Sequence, residues 1–216
     1  MLPFDIQIEK LQKEEYDKVA AMLTDAFESN PAYALIFTKK DKLREGLFWL
    51  FKTNLFLTNQ TISVTRVVKE KESGKIIGIF SLLPPGGVKS KFNDYLQIGL
   101  PRFVSKFGFR ALHKMLGMDS YNKELLTKAI GASEYYYLSM VAIKEEYRGT
   151  GIGSFMITQC LEELRSAERK CHMVGLTTQL PENVIFYSRL GFQKLDEGEV
   201  QFKQDRYYNY NMKLEL

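Results

Sequence analysis

The chain has 216 residues, 45% hydrophobic and 26% charged, with a net charge of +4 and an isoelectric point of 8.9. This is a globular composition, long enough for one sizeable core. The charge is too mild to imply nucleic acid as a partner.

The first residues, Met-Leu-Pro-Phe-Asp-Ile-Gln, lack the basic and apolar regions of a secretory signal. A short strand carrying Ile6 and Ile8 precedes Tyr16, Val19, Ala20, Leu23, Ala26 and Phe27, which recur at helical spacing up to Asn30-Pro31. A second helix is expected over 41–58. Its densest apolar run, Leu47 to Leu57, is interrupted by Lys52 and Asn54 and is too short to span a bilayer. A cytoplasmic protein with no membrane partner is therefore expected.

Thr61 to Val68 is β-branched, Glu70 to Gly74 reads as a turn, and Lys75 to Leu83 is an apolar strand, so the two strands should form a hairpin. Pro84-Pro85-Gly86-Gly87 stops the sheet. Residues 88–132 read as a helical insert rather than a domain. Between Lys89 and Lys128 there are eight Lys/Arg against three Asp/Glu, which suits either a solvated helical face or a field that steers a polyanion.

An extended pattern resumes at Tyr135–Ile143. From Gly151 a helix carries Ile152, Phe155, Met156, Cys160 and Leu164 on one face. Met173–Thr178 should be a strand, Pro181–Leu190 a short helix capped near Gly191, Phe192–Leu195 a strand, and Arg206–Leu214 the last strand. Hairpins join antiparallel strands and helical crossovers join parallel ones, so this order gives an α/β fold with a mixed sheet in one domain, 1–216. Cys160, Cys171, His113 and His172 have no zinc-site spacing, so no metal is expected, and Cys160 reads as a buried thiol.

The run Tyr147-Arg148-Gly149-Thr150-Gly151-Ile152-Gly153-Ser154 places a basic residue and three glycines where a strand hands over to a helix. Glycines allow a phosphate close to the backbone, and the unpaired amides of a helix N-terminus donate to it. Neither Gly-Lys-Ser/Thr nor Gly-x-Gly-x-x-Gly can be read here, which disfavours a nucleoside triphosphate or a dinucleotide. The run resembles the Arg/Gln-x-x-Gly-x-Gly/Ala loop of the GCN5-related N-acetyltransferases (GNAT). Asn183-Val184-Ile185-Phe186-Tyr187-Ser188-Arg189-Leu190-Gly191-Phe192 is similar to that family's second motif. Tyr-Leu-Ser-Met-Val-Ala-Ile before the loop is similar to its puromycin-acetyltransferase-like branch, which acts on small molecules.

The resemblance implies a GNAT-like acyl-CoA N-acyltransferase fold, with helices on both faces of the sheet and the insert between the third and fourth strands. It implies acetyl-CoA as cofactor and a small-molecule amine as acceptor, with direct attack in a ternary complex. Arg148 and the amides of Gly149, Thr150, Gly151, Ile152, Gly153 and Ser154 would bind the pyrophosphate. The strand Met140-Val141-Ala142-Ile143 would pair with the pantetheine arm. Tyr187 would protonate the leaving thiolate, since a phenol with a pKa of about 10 keeps its proton at neutral pH. Asn183 and Phe186 would lie near the cofactor, Asn183 being equally readable as a helix cap.

The general base is the least legible part. The family's glutamate position falls on Tyr135, with Glu134 one step out of register, and a water relayed through Ser139 or a tyrosine hydroxyl is the alternative. The acceptor pocket would be walled by residues 27–37 and 197–207, with Phe27, Asn30, Tyr33 and Tyr207 as contacts. A non-catalytic acyl-CoA sensor, a protein-directed acetyltransferase and a homodimer all stay open.

Overall fold

The structure, a computed structural model, describes residues 5–59, 64–89, 92–166 and 170–216. Strand β1 (Ile6–Lys10) is followed by three helices, α1 (Tyr16–Phe27), α2 (Pro31–Ile36) and α3 (Lys40–Thr58). The hairpin β2 (Thr65–Glu70) and β3 (Ile76–Leu83) leads into the insert, α4 (Phe92–Gln97) and α5 (Leu100–Ile130). Then come β4 (Tyr136–Ile143), α6 (Ile152–Ser166), β5 (Met173–Thr178), α7 (Pro181–Arg189), β6 (Gln193–Phe202) and β7 (Asp205–Glu215). The strand expected to begin at Thr61 begins at Thr65, its first three residues lying outside the described ones.

The seven strands form one sheet in the order β1-β2-β3-β4-β5-β7-β6. Every neighbouring pair is antiparallel except β4 and β5, which α6 joins as a parallel crossover. Two apolar clusters fill the two faces. One packs α1, α2, α3 and α5 against Val67, Ile79, Ala142, Val200 and Tyr207. The other packs α6 and α7 against Val68, Ile77, Tyr136, Leu138, Val174, Leu176, Met212 and Leu214. Residues i and i+2 of a strand share a face, so both sides of each central strand can be apolar when both are covered.

The α1–α2 junction follows from local chemistry. Asn30 takes the N-cap of α2, accepting from the Ala32 amide at 3.0 Å, and Pro31 supplies the first helical turn. The strand expected to end at Leu195 runs on to Phe202 because the long turn-linked β7 pairs with it along its whole length. The insert is dominated by α5, whose helical geometry breaks at Gly108 (φ 84°). Its C-terminal part lies directly on β5, because a side chain at Gly175 would put its Cβ 2.9 Å from both Ile130 and the Tyr135 ring. A buried ion pair, Lys114 Nζ to Asp205 Oδ2 at 2.6 Å, ties α5 to the β6–β7 turn, and the same ammonium donates to Leu35 O at 3.0 Å.

No helix among the described residues is long and apolar enough to cross a membrane.

Candidate active site

Strand β4 changes register in its middle. Ser139 pairs with Ser81 and Ala142 with Ile79, so β4 takes three steps where β3 takes two. The extra residue falls at Met140, whose φ of 52° is left-handed. Such a conformation costs a non-glycine residue about 1–3 kcal/mol and marks a place held by its surroundings. The bulge also inverts the alternation of side chains. Met140 and Ala142 pack with the α1–α3 side, while Val141 and Ile143 pack with the α6–α7 side.

The parallel ladder between β4 and β5 consists of two pairs, Tyr136 with Val174 and Tyr137 with Gly175. Beyond them the strands part. The β5 edge continues to pair with β7 up to Thr178, but the β4 edge from Leu138 to Ile143 faces the opening. Backbone amides and carbonyls on such an edge accept an extended ligand as another strand would.

The opening widens toward the N-terminus of α6. Gly149 (φ 76°) and Gly151 (φ 87°) turn the chain there, and the first helical bond runs from the Phe155 amide to Gly151 O at 3.0 Å. The amides of Ile152, Gly153 and Ser154 are those a helix leaves without an acceptor, and the helix dipole makes that end attractive to an anion. Thr150 Oγ1 donates to Tyr147 O at 2.7 Å, and Arg148 Nε to Ile143 O at 3.3 Å, which fix the loop. A cavity of ≈ 490 Å³ adjoins it, lined by Arg148, Lys144 and Ile143 on one side and by the α1 end on the other. Asp25 and Glu28 in its wall are both held by Arg44, and Glu146 by Lys75. Lys144 and Arg148 make no salt bridge among the described residues, and neither does Glu145 in the same wall.

Tyr187 lies buried on α7, its ring 5.0 Å from Phe186 and 5.5 Å from Phe192. Burial first, and the nearby Tyr137 second, push its phenol well above the ordinary tyrosine range, so it stays protonated at neutral pH. Phe186 leans over the start of α6, 3.5 Å from where a Gly153 Cβ would stand. Asn183 is not a helix cap, since Leu180 holds that position; its Nδ2 donates to Thr178 Oγ1 at 2.9 Å and pins α7 to the end of β5.

The residues expected around a base fall apart. Glu134 is exposed and precedes β4, its carbonyl accepting from Cys171 Sγ at 3.2 Å, and it is not brought to the opening. Tyr135, at the family's glutamate position, bonds Thr127 Oγ1 at 2.8 Å and packs on Gly175 under α5. Ser139 stands directly before the bulge, two residues along from Tyr137 and therefore on its face of the strand.

Tyr137 was not singled out by the sequence, yet it stands at the base of the opening, with its hydroxyl 3.1 Å from Thr177 Oγ1. Burial raises its pKa, with Asp119 adding to the effect. Tyr33 is raised in the same way by burial, then by Tyr137 and Asp119. Its ring meets Phe51 at 5.8 Å and Phe27 at 6.0 Å edge-on. Tyr207 is buried, and its hydroxyl donates to Asn122 of the insert at 2.7 Å; burial lifts its pKa to about 12. Alternation in Tyr207-Tyr208-Asn209-Tyr210-Asn211 is the signal by which the Asn209 and Asn211 face could have been found.

A mixed sheet splayed between its one parallel pair, beside a bulge and a glycine-turned helix start, defines an acyl-CoA N-acyltransferase fold. Residues 116–194 match the family model described as acetyltransferase (GNAT) domain. The matched segment holds β4, α6, β5 and α7, the elements that border the opening. Among solved structures it resembles the histone acetyltransferase HPA2 and related acetyltransferase of Corynebacterium glutamicum (TM-score 0.63, 20% identity, 99% of this chain and 96% of that one). It also resembles the polyamine N-acetyltransferase of Drosophila melanogaster (TM-score 0.61, 12% identity, 98% and 100%). A probable serine/threonine-protein kinase of Dictyostelium discoideum is 22% identical over 195 residues, 84% of this chain, and the chain spans 20% of that protein's length.

Proposed function

We propose that the protein transfers an acetyl group from acetyl-CoA to the amine of a small molecule, in the manner of the puromycin-acetyltransferase-like branch. The observation that carries the reading is the unpaired β4 edge at the Met140 bulge, continuous with the glycine-turned start of α6. This surface suits a long donor with an amide-bearing arm at one end and a pyrophosphate at the other. The β4 edge would hold the arm, and Arg148, Lys144 and the amides of Gly151 to Ser154 the phosphates. Bound there, acetyl-CoA supplies an electrophilic thioester carbonyl.

The chain's own residues then have three tasks. The backbone at the bulge polarises the carbonyl with an amide directed into the opening. An amine attacking a thioester held there would displace its thiolate, and Tyr187 would supply the proton that the thiolate takes up. The surplus proton of the amine leaves through water at Ser139 and the Tyr137–Thr177 hydroxyls to solvent, and Tyr187 is reprotonated from the same water.

Thiol release from acetyl-CoA with a panel of small amines and of peptides tests this directly. Turnover with amines, and a Tyr187→Phe variant that binds CoA normally but is slowed roughly 10²-fold, is the expected result. Tight CoA binding without turnover of any acceptor would make the protein a sensor instead, and turnover of peptides alone would make it protein-directed.

A further inference from the structure

A continuous strip of uncharged polar side chains crosses the face of the sheet that meets α1, α2 and α5. It begins where Tyr137 and Thr177 bridge the base of the opening at 3.1 Å. Thr177 pairs across the sheet with Asn211, which places the two side chains next to each other on one face. Asn211 Oδ1 accepts from Asn209 Nδ2 at 3.1 Å, and Asn209 Oδ1 from Gln179 Nε2 at 2.9 Å. Gln179 Oε1 accepts in turn from Asn30 Nδ2 at 3.2 Å, so the strip ends at the α1–α2 turn. Asn209 and Asn211 are 1% and 3% exposed.

Amides buried this deeply have to be bonded, and all but one end of the chain is. The Asn211 Nδ2 donors meet no acceptor among the described residues. Among those residues the one enclosed side-chain oxygen or nitrogen without a hydrogen bond belongs to Asp205, so the Asn211 nitrogen is not fully sealed in. The charges around the strip are already matched: Lys114 with Asp205 at 2.6 Å, Lys123 with Asp119 at 2.7 Å, and Lys213, two residues along β7 from Asn211, with Glu215 at 2.7 Å. Lys123 also lies 5.9 Å over the Tyr137 ring. None is left as a counter-ion for a charge on a ligand.

Resting on the acetyl-transfer reading, we infer that this strip selects the acceptor. The acceptor is a monoamine whose other polar atoms are uncharged, with a hydroxyl, carbonyl or amide oxygen taken by Asn211 Nδ2 and the Thr177 hydroxyl. A carboxylate or a second ammonium laid on the strip is desolvated without a partner, which strongly disfavours it.

The test uses the full chain, acetyl-CoA and three primary amines of equal length that end in a carboxamide, a carboxylate or an ammonium. The expected kcat/KM of the carboxamide amine exceeds both others by at least tenfold. Asn211→Asp should shift the preference at least tenfold toward the diamine. Thr177→Val, which covers the case of a misfolded aspartate variant, should narrow the kcat/KM gap between the carboxamide amine and the charged amines, a ratio in which any change in the common rate cancels, with CoA affinity unchanged. Equal use of the charged amines by the wild type, or an unaltered order in folded Asn211→Asp, overturns the inference and leaves acetyl transfer standing. CoA binding with no thiol release from any amine overturns both.

Discussion

Replacing Gly151 and Gly153 separately by alanine should have opposite outcomes, although the two glycines look alike in the loop motif. Gly151 has a φ of 87°. An L-residue held near there is strained by about 1–2 kcal/mol. Because Gly151 is exposed, the loop can relieve that strain by turning its amides away from the opening. Losing one or two hydrogen bonds to a charged phosphate costs about 2–4 kcal/mol, which corresponds to a roughly 30- to 1,000-fold rise in Kd. At Gly153 the backbone is ordinary, and a Cβ would sit 3.5 Å from Phe186 and 3.6 Å from Ile143, both normal contacts. Gly153→Ala also gains helix propensity, up to about 1 kcal/mol. Its Kd for CoA should stay within about threefold of wild type, and its Tm should be unchanged or slightly higher. Isothermal calorimetry with CoA and a thermal melt of each variant measure these quantities. If Gly151→Ala binds CoA as tightly as Gly153→Ala, the phosphate cradle has been put in the wrong place.

Two further outcomes follow from the burial of specific groups. Removing one partner of the buried Lys114–Asp205 pair leaves an uncompensated charge, so Lys114→Met should destabilise the fold by about 3–5 kcal/mol in urea denaturation, and Lys114→Met with Asp205→Leu by much less. Additive losses in that double variant would show that the pair does not hold the insert down. The pH dependence of kcat follows from the sign of the Tyr187 shift. The reacting amine must lose its proton, so the rate should climb with pH. Since burial raises the phenol above its usual pKa of about 10, Tyr187 keeps its proton and no descending limb should appear below that value. A falling limb near pH 9 in wild type that vanishes in Tyr187→Phe would contradict the buried, neutral phenol.

How much could be read from sequence differs between the two halves of the site. Glycines at 149 and 151 need positive φ, a local property, and the strand-to-helix passage around them is equally local. The end of α1, the hairpin at 71–74 and the strand at 173–178 were legible for the same reason, because turn residues and short-range periodicity belong to the segment itself. The insert was visible as a length and a charge bias. Its seat on Gly175 was not, because that depends on segments 40 to 45 residues apart meeting at 2.9 Å.

The bulge at Met140 has no sequence signature of its own: it is a mismatch between β4 and β3, and it decides which of Ser139, Met140 and Val141 faces the acceptor side.

Periodicity, glycine placement and apolar spacing in the chain were sufficient to fix the seven strands, the mixed sheet and the glycine-turned loop, since each is set by residues within a few positions of one another; the short helix α2 was not among them. The parting of β4 from β5, the inverted alternation after Met140 and the amide strip from Asn211 to Asn30 arose only in the folded protein. Register and hydrogen bonding between distant strands are set by the packing of the whole sheet against its two layers of helices, and no single segment carries that information.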